Sequence, residues 1–156
     1  MKFVILVLGK SKFPFVQEGV EHYVKNANHL GEVEILELKD QSSDPAQEVE
    51  KIEATLVRKK WSGDGKTKIF LLDERGAVLT SAKFAETLKK SADQGAQRFI
   101  FIVGGAFGFT EAFRKKYTLL SLSAMTFPHD LIRVFLTEQI YRALHILSGG
   151  KYHHEG

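Results

Sequence analysis

The chain contains no cysteine. That absence excludes a disulfide scaffold, a thiolate zinc site and any mechanism built on a cysteine nucleophile. Long hydrophobic runs are missing as well. The N-terminal stretch Phe3 to Leu8 is too short to span a bilayer and lacks the cleavage site of a signal peptide, so the expectation is a cytoplasmic protein with no membrane partner. Charge of either sign is in little excess: a formal +3 and a pI near 9.0 tilt toward an anionic partner without identifying one. Neither internal repeats nor low-complexity segments nor a domain linker is evident. With 156 residues, 44% of them hydrophobic and 26% charged, the chain is expected to form one domain over 1–156.

What is present is an alternation of two hydrophobic periods. Four short apolar runs rich in β-branched and aromatic residues, Lys2 to Leu8, Glu32 to Leu38, Thr67 to Asp73 and Gln97 to Val103, are expected to be strands. Three of them are almost continuously apolar, as strands covered on both faces should be. The second is interrupted by Glu32, Glu34 and Glu37 and is expected nearer a sheet edge. Between the strands, Phe13 to Asn28, Pro45 to Lys60 and Ser81 to Asp93 have helical spacing, and Asp44-Pro45 reads as an N-cap followed by proline at the first helical position. This alternation defines an α/β class, a mainly parallel sheet flanked by helices. The last third adds a short helix near Thr110 to Lys116, a fifth strand near Leu119 to Ser123, and a long helix from His129 to Leu147. The apolar stripe of that helix is wide enough to predict burial on two sides, against the sheet and against a second subunit.

Three segments have the chemistry of a site. Phe99 to Val103 runs into Gly104-Gly105-Ala106-Phe107-Gly108, a glycine turn at the carboxyl end of a strand, where α/β folds bind ligands. Glycine there permits positive φ or close approach of backbone to ligand. The spacing fits neither a dinucleotide fingerprint nor a P-loop, so a plain tight turn stays open. The segment Leu120 to His129 alternates small hydroxyl and apolar residues before Pro128. It suits either the wall of an adenosine pocket or a buried strand followed by a helix start. The C-terminal end gathers Tyr141, Arg142, His145, Lys151, Tyr152 and His153-His154, aromatic rings beside cations, the combination that stacks on unpaired bases and holds phosphates. Basic clusters at Lys10 and Lys12, at Arg58-Lys59-Lys60 beside Trp61, and at Arg114-Lys115-Lys116 read either as solvated helix ends or as contacts to an anionic partner.

Taken in order, Gly104-Gly105-x-x-Gly108, Ser121-Leu122-Ser123-Ala124-Met125-Thr126-Phe127-Pro128-His129, Arg133, Glu138-Gln139-x-Tyr141-Arg142-Ala143 and Tyr152-His153 form a specific series. The whole chain resembles the bacterial large-subunit ribosomal RNA pseudouridine N3-methyltransferases, of the knotted SPOUT class. The resemblance implies a C-terminal trefoil knot, a homodimer packed through it, and S-adenosylmethionine as methyl donor with no metal. It implies a pseudouridine of 23S ribosomal RNA, on the assembled ribosome, as the target. Carried over residue by residue, the cofactor-binding positions are Leu72, Gly104, Gly105, Leu122, Ser123, Ala124, Met125, Thr126 and Phe127. Leucine usually stands where this chain has Met125 or Phe127, apolar exchanges of similar volume. At Ala106-Phe107 relatives differ.

The reaction so implied requires removal of a weakly acidic ring N–H and alignment of nitrogen, methyl carbon and sulfur. His129 and His153 are the candidate bases; Arg133 and Arg142 are the cations placed to hold phosphate or a developing anion; Tyr152 is the candidate to stack on the base. Helix capping or an interface role accounts for several of the same residues, Arg133 and His129 above all. Two other functions fit the same residues, a non-catalytic RNA-binding or ribosome-assembly module and a SPOUT methyltransferase with another RNA target.

Overall fold

A computed structural model of the chain describes residues 1–39 and 42–152. Its elements alternate as the periodicity predicts: β1 (Lys2–Leu8), α1 (Pro14–Ala27), β2 (Glu32–Leu38), α2 (Pro45–Arg58), β3 (Thr67–Val78), α3 (Ser81–Asp93), β4 (Arg98–Val103), α4 (Glu111–Arg114), β5 (Thr118–Ser121) and α5 (His129–Leu147). The five strands form one sheet in the order β2-β1-β4-β3-β5, every pair parallel. The glutamate-interrupted β2 is an edge strand, and β1 and β4 are buried in the middle.

Successive side chains of a strand point to opposite faces, and the core divides accordingly. Phe3, Ile5 and Val7 of β1 join Phe99 and Phe101 of β4 beneath α1, α3 and α5, with Phe84, Leu88, Leu136, Ile140 and Leu144. Val4, Leu6 and Leu8 join Ile100 and Ile102 on the other face beneath α2 and α4, with Ile52, Leu56 and Phe113. Helix starts follow local chemistry: Asp44 accepts a hydrogen bond from Ala46 N–H at 2.9 Å ahead of α2, and Thr80 and Thr110 cap α3 and α4 through Lys83 N–H and Phe113 N–H.

Most boundaries lie within two residues of the sequence reading; the largest difference is at the end of β3. β3 continues past Asp73 to Val78, because pairing with β5 breaks after Leu72 and resumes at Ala77. The polar residues Asp73 to Gly76 bulge out between the two paired pieces, which hides the continuation from any period-2 pattern. Gly76 belongs to that bulge, where a Cβ would lie 2.5 Å from the Leu120 backbone nitrogen, so close approach of β5 excludes a side chain. The fifth strand itself begins one residue earlier and ends two residues sooner than predicted.

From the β5 edge, residues 122–128 carry the chain back toward β1, where α5 packs between α1 and α3. Arg133 fixes that return. Its Nη2 donates to the Leu8 carbonyl at 2.7 Å and its Nη1 to the Gly9 carbonyl at 2.9 Å, and it is 5% exposed. It is a buried tie between α5 and the end of β1. α5 is buried on one side; Phe135 on the other side is 41% exposed.

Candidate active site

The carboxyl ends of β3, β4 and β5 open into a cleft of 580 Å³, within the range of small-molecule sites. Eight of the nine sequence-predicted cofactor positions line it: Leu72 at the end of the first paired piece of β3, Gly104 and Gly105 after β4, and Leu122, Ser123, Met125, Thr126 and Phe127 after β5. Ala124, within the same loop, does not line it. His129, at the first turn of α5, does, with Ile132 one turn further on.

The post-β5 loop is held by its own hydroxyls. Ser121 Oγ donates to the Ser123 carbonyl at 2.7 Å, and Ser123 Oγ accepts from Met125 N–H at 2.9 Å. These turns leave the Met125 side chain 73% exposed and bring Phe127 against Phe135, ring centroids 5.2 Å apart.

The glycines of the other wall differ in their surroundings and backbone. Gly105 does not have a positive φ; Gly108 does, at +70°. A Cβ on Gly105 would fall 2.6 Å from Glu48 Oε1, and one on Gly104 would fall 3.0 Å from the Phe109 ring. A side chain at either position would therefore require one of the protein's own side chains to give way, the Glu48 carboxylate from α2 or the Phe109 ring from the turn itself. Glu48 is 3% exposed, a buried carboxylate directly behind the cleft wall that nothing in the residue pattern singles out.

Asp73 and Arg114 line the cleft as well, and they belong to an ion-pair network whose pairings the sequence does not show. Arg114 Nε donates to Asp73 Oδ2 at 2.6 Å and Arg114 Nη1 to Glu111 Oε1 at 3.1 Å; Arg75 pairs with the same Glu111 oxygen. Burial alone would raise the Asp73 carboxyl, but hydrogen bonds from Arg114 and from Arg75 N–H outweigh it and hold the group below the usual carboxylate range. Because Arg114 Nη2 lies 3.1 Å from where a Gly108 Cβ would be, the network joins the β3 bulge, α4 and the glycine turn into one support.

Arg142 and Tyr152 are brought to each other and not to the cleft. Glu138 Oε1 accepts from Arg142 Nε at 2.9 Å and from the Tyr152 hydroxyl at 3.3 Å, while the Arg142 guanidinium lies 4.8 Å from the Tyr152 ring centroid. Tyr141 packs against Tyr152 in a tilted arrangement, ring centroids 4.6 Å apart. Burial, and then the Glu138 charge, push the Tyr152 phenol up to about 12, so it stays a neutral donor. Neither residue lines the cleft. Thirteen residues of helix separate His129 from Arg142, about 20 Å at 1.5 Å per residue. His153 lies outside the described residues.

The profile described as "Predicted SPOUT methyltransferase" matches residues 1–153. The chain is 40% identical over 156 residues to the ribosomal RNA large subunit methyltransferase H of Geobacter sp. strain M21, covering 99% of this chain and 100% of that protein. It is 39% identical over 155 residues to the protein of the same name from Trichlorobacter lovleyi, again covering 99% and 100%. Among solved structures, a probable methylase family protein from Haemophilus influenzae Rd KW20 superposes with a TM-score of 0.52 at 12% identity, over 94% of this chain and 66% of that one, a likeness of fold alone. Full-length identity to proteins of one name, on a parallel sheet with its cleft at the strand ends, places the chain plainly: it belongs to the SPOUT methyltransferase family.

Proposed function

We propose that this chain, as one domain over 1–156, is a cytoplasmic enzyme that methylates the N3 position of a pseudouridine in 23S ribosomal RNA on the assembled ribosome, using S-adenosylmethionine. The observation that carries this reading is the cleft at the ends of β3, β4 and β5, lined by the positions that the family resemblance assigns to the cofactor. Its walls fit a nucleoside: Leu72, Val103, Phe127 and Ile132 supply apolar surface, while the glycine turn exposes backbone donors and acceptors. When bound, the cofactor supplies an electrophilic methyl group on a sulfonium.

The remaining work belongs to the protein. Leu122 to Phe127, with Leu72, Gly104 and Gly105, hold and orient the cofactor, Ala124 through its place in the loop. His129 borders the cleft and is the base that can take the ring N–H proton from a substrate entering there. The Arg142 guanidinium, oriented by Glu138, stabilises a uracil anion or a phosphate, and Tyr152 presents its ring to a base. His153, in the tail beyond Tyr152, is the alternative base.

Arg142 lies about 15 Å along α5 from Ile132, the cleft residue nearest to it on that helix, and Tyr152 packs with Arg142 outside the cleft; a second copy that supplies both would bring them to a substrate there. A homodimer packed through the outer side of α5, where Phe135 is exposed, accounts for this. It also accounts for the wide apolar stripe of that helix. The return of residues 122–128 toward β1 is in keeping with the trefoil threading that the resemblance implies.

Titration calorimetry tests the cofactor assignment. S-adenosylmethionine and S-adenosylhomocysteine are expected to bind at one site per protomer and NAD not at all; no binding of the first two would leave a non-catalytic RNA-binding module as the reading. The dimer is tested by mixing an Arg142→Ala chain with a chain disabled in the cleft by Gly105→Val. Activity regained in the mixture is the expected result, and mixtures as inactive as the two parents would refute shared sites.

A further inference from the structure

At the other ends of β3 and β5 lies a second groove, of 320 Å³, whose lining includes Trp61, Lys68, Lys115, Lys116 and Tyr117. Lys68 stands four residues before Leu72 on β3, about 13 Å from the cleft. The groove exists because β5 is short. Its pairing with β3 starts at Phe70 opposite Thr118, so β5 leaves the Thr67 to Ile69 stretch uncovered, and the turn after α4 places Lys115 and Lys116 beside that stretch.

The charged residues that line this groove are all basic, and most of the lysines around it are uncompensated. Lys59, Lys60, Lys68, Lys115 and Lys116 are all exposed. Lys116 pairs with Glu53, and Arg98 with Asp64 at 3.4 Å. Among the described residues, no carboxylate comes within ion-pair distance of Lys59, Lys60, Lys68 or Lys115, and no acidic residue lines the groove. Lys68 and Lys115 in the groove, with Lys59 and Lys60 in the turn that leads to Trp61, are like charges that a polyanion would neutralise.

The end of α2 adds an independent sign. Lys60 N–H bonds the Val57 carbonyl and Trp61 N–H the Leu56 carbonyl, both at 2.9 Å, the paired bonds of a Schellman C-cap. The left-handed position of that motif is normally glycine, yet it is occupied by Lys60 at φ 56°, the sole positive-φ side chain among the described residues. The left-handed backbone disfavours a side chain there, while the carbonyl end of α2 favours the charge that this one carries. The same turn seats Trp61 at the groove, 7% exposed, with Lys59 Nζ 5.6 Å and the Arg98 guanidinium 5.5 Å from its ring centroid.

We propose that this groove is an RNA-docking surface, on which Lys60, Lys68 and Lys115 hold phosphates of a ribosomal RNA segment remote from the methylated nucleotide. The inference rests on the reading of ribosomal RNA as target, and it supplies what a mildly basic chain otherwise lacks, a second point of attachment to the ribosome.

The test is the triple variant Lys60→Gly, Lys68→Ala, Lys115→Ala, in which Lys60→Gly also relieves the left-handed backbone and protects folding. Affinity for S-adenosylmethionine and kcat at saturating ribosomes should match the unsubstituted protein. KM for ribosomes should rise about tenfold or more, and the slope of log KM against log salt should fall by about two to three, at roughly 0.7 to 0.9 for each of three phosphates no longer held. Unchanged KM and salt slope would overturn the proposal. So would a raised KM accompanied by undiminished binding to protein-free ribosomal RNA, which would put an acidic ribosomal protein in the groove instead. Trp61, the one tryptophan of the chain, reports on the groove without turnover. Its emission should respond to a ribosomal RNA fragment in the unsubstituted protein and much less in the triple variant. That response without methyl transfer would count against the functional reading and leave the docking surface standing; no response to RNA would overturn the docking surface.

Discussion

Glu138 holds Arg142 one helical turn away through two donors, Nε at 2.9 Å and Nη2 at 2.5 Å, both on the same carboxylate oxygen. A partly exposed pair at this spacing is worth only about 0.3 to 0.5 kcal/mol to folding. Its consequence is therefore positional. It fixes the plane of the guanidinium over Tyr152, and the same oxygen receives the Tyr152 hydroxyl.

Glu138→Gln should accordingly lower kcat by roughly ten- to a hundredfold, the usual cost of a misplaced group, while unfolding stability and S-adenosylmethionine affinity hardly change. Steady-state kinetics beside calorimetry separate these. A fall in cofactor affinity of the same size would show that Glu138 acts on the cleft and not on Arg142.

Gly105→Ala should weaken S-adenosylmethionine roughly tenfold, because its Cβ collides with Glu48 and pushes the cleft wall outward at an overpacking cost of about 1 to 3 kcal/mol. Adding Glu48→Ala should restore much of the loss. Calorimetry of the single and double variants decides the point, and equal affinities in the two would remove Glu48 from the explanation.

Asp73 gives the fold an acid limb. Its carboxyl is held below its ordinary value of 3.8, so the folded state binds a proton less readily than the unfolded chain. The stability that results is complete above that ordinary value and is lost as pH falls toward the lower folded value. Asp73→Asn should lower the melting temperature near neutral pH and flatten its decline between about pH 5 and pH 2, measured by thermal unfolding across that range. A variant with the same acid limb as the original would mean that other carboxylates set it.

Arg133→Met should destabilise the protein by about 3 kcal/mol in chemical denaturation, since two charge-assisted bonds are removed and the Leu8 and Gly9 carbonyls are deprived of a buried donor. A loss below about 0.5 kcal/mol would mean that Arg133 is no structural tie and would make it a candidate for touching substrate again.

The sequence was most informative where structure is set by neighbours along the chain. Asp44-Pro45 starts α2, the glutamates of β2 mark the sheet edge, and the apolar runs of β1 and β4 mark its centre, each a consequence of local hydrogen bonding or of burial on two faces. It was silent where distant residues meet. Glu48 reads as one more helical glutamate until α2 brings it behind Gly105. Asp73 and Arg114 are 41 positions apart, and their pairing depends on a bulge that no periodicity announces. The residue types of Arg142 and Tyr152 point to substrate contacts, yet the two pair with each other outside the cleft, a separation that residue order does not display.

The central claim is tested most directly by incubating the purified protein with methyl-labelled S-adenosylmethionine and ribosomes that lack the modification, then mapping the label in the RNA. One methyl group per ribosome at N3 of a single 23S pseudouridine is the predicted result; cofactor binding with no label in that RNA, or label at a different kind of nucleotide, would contradict it.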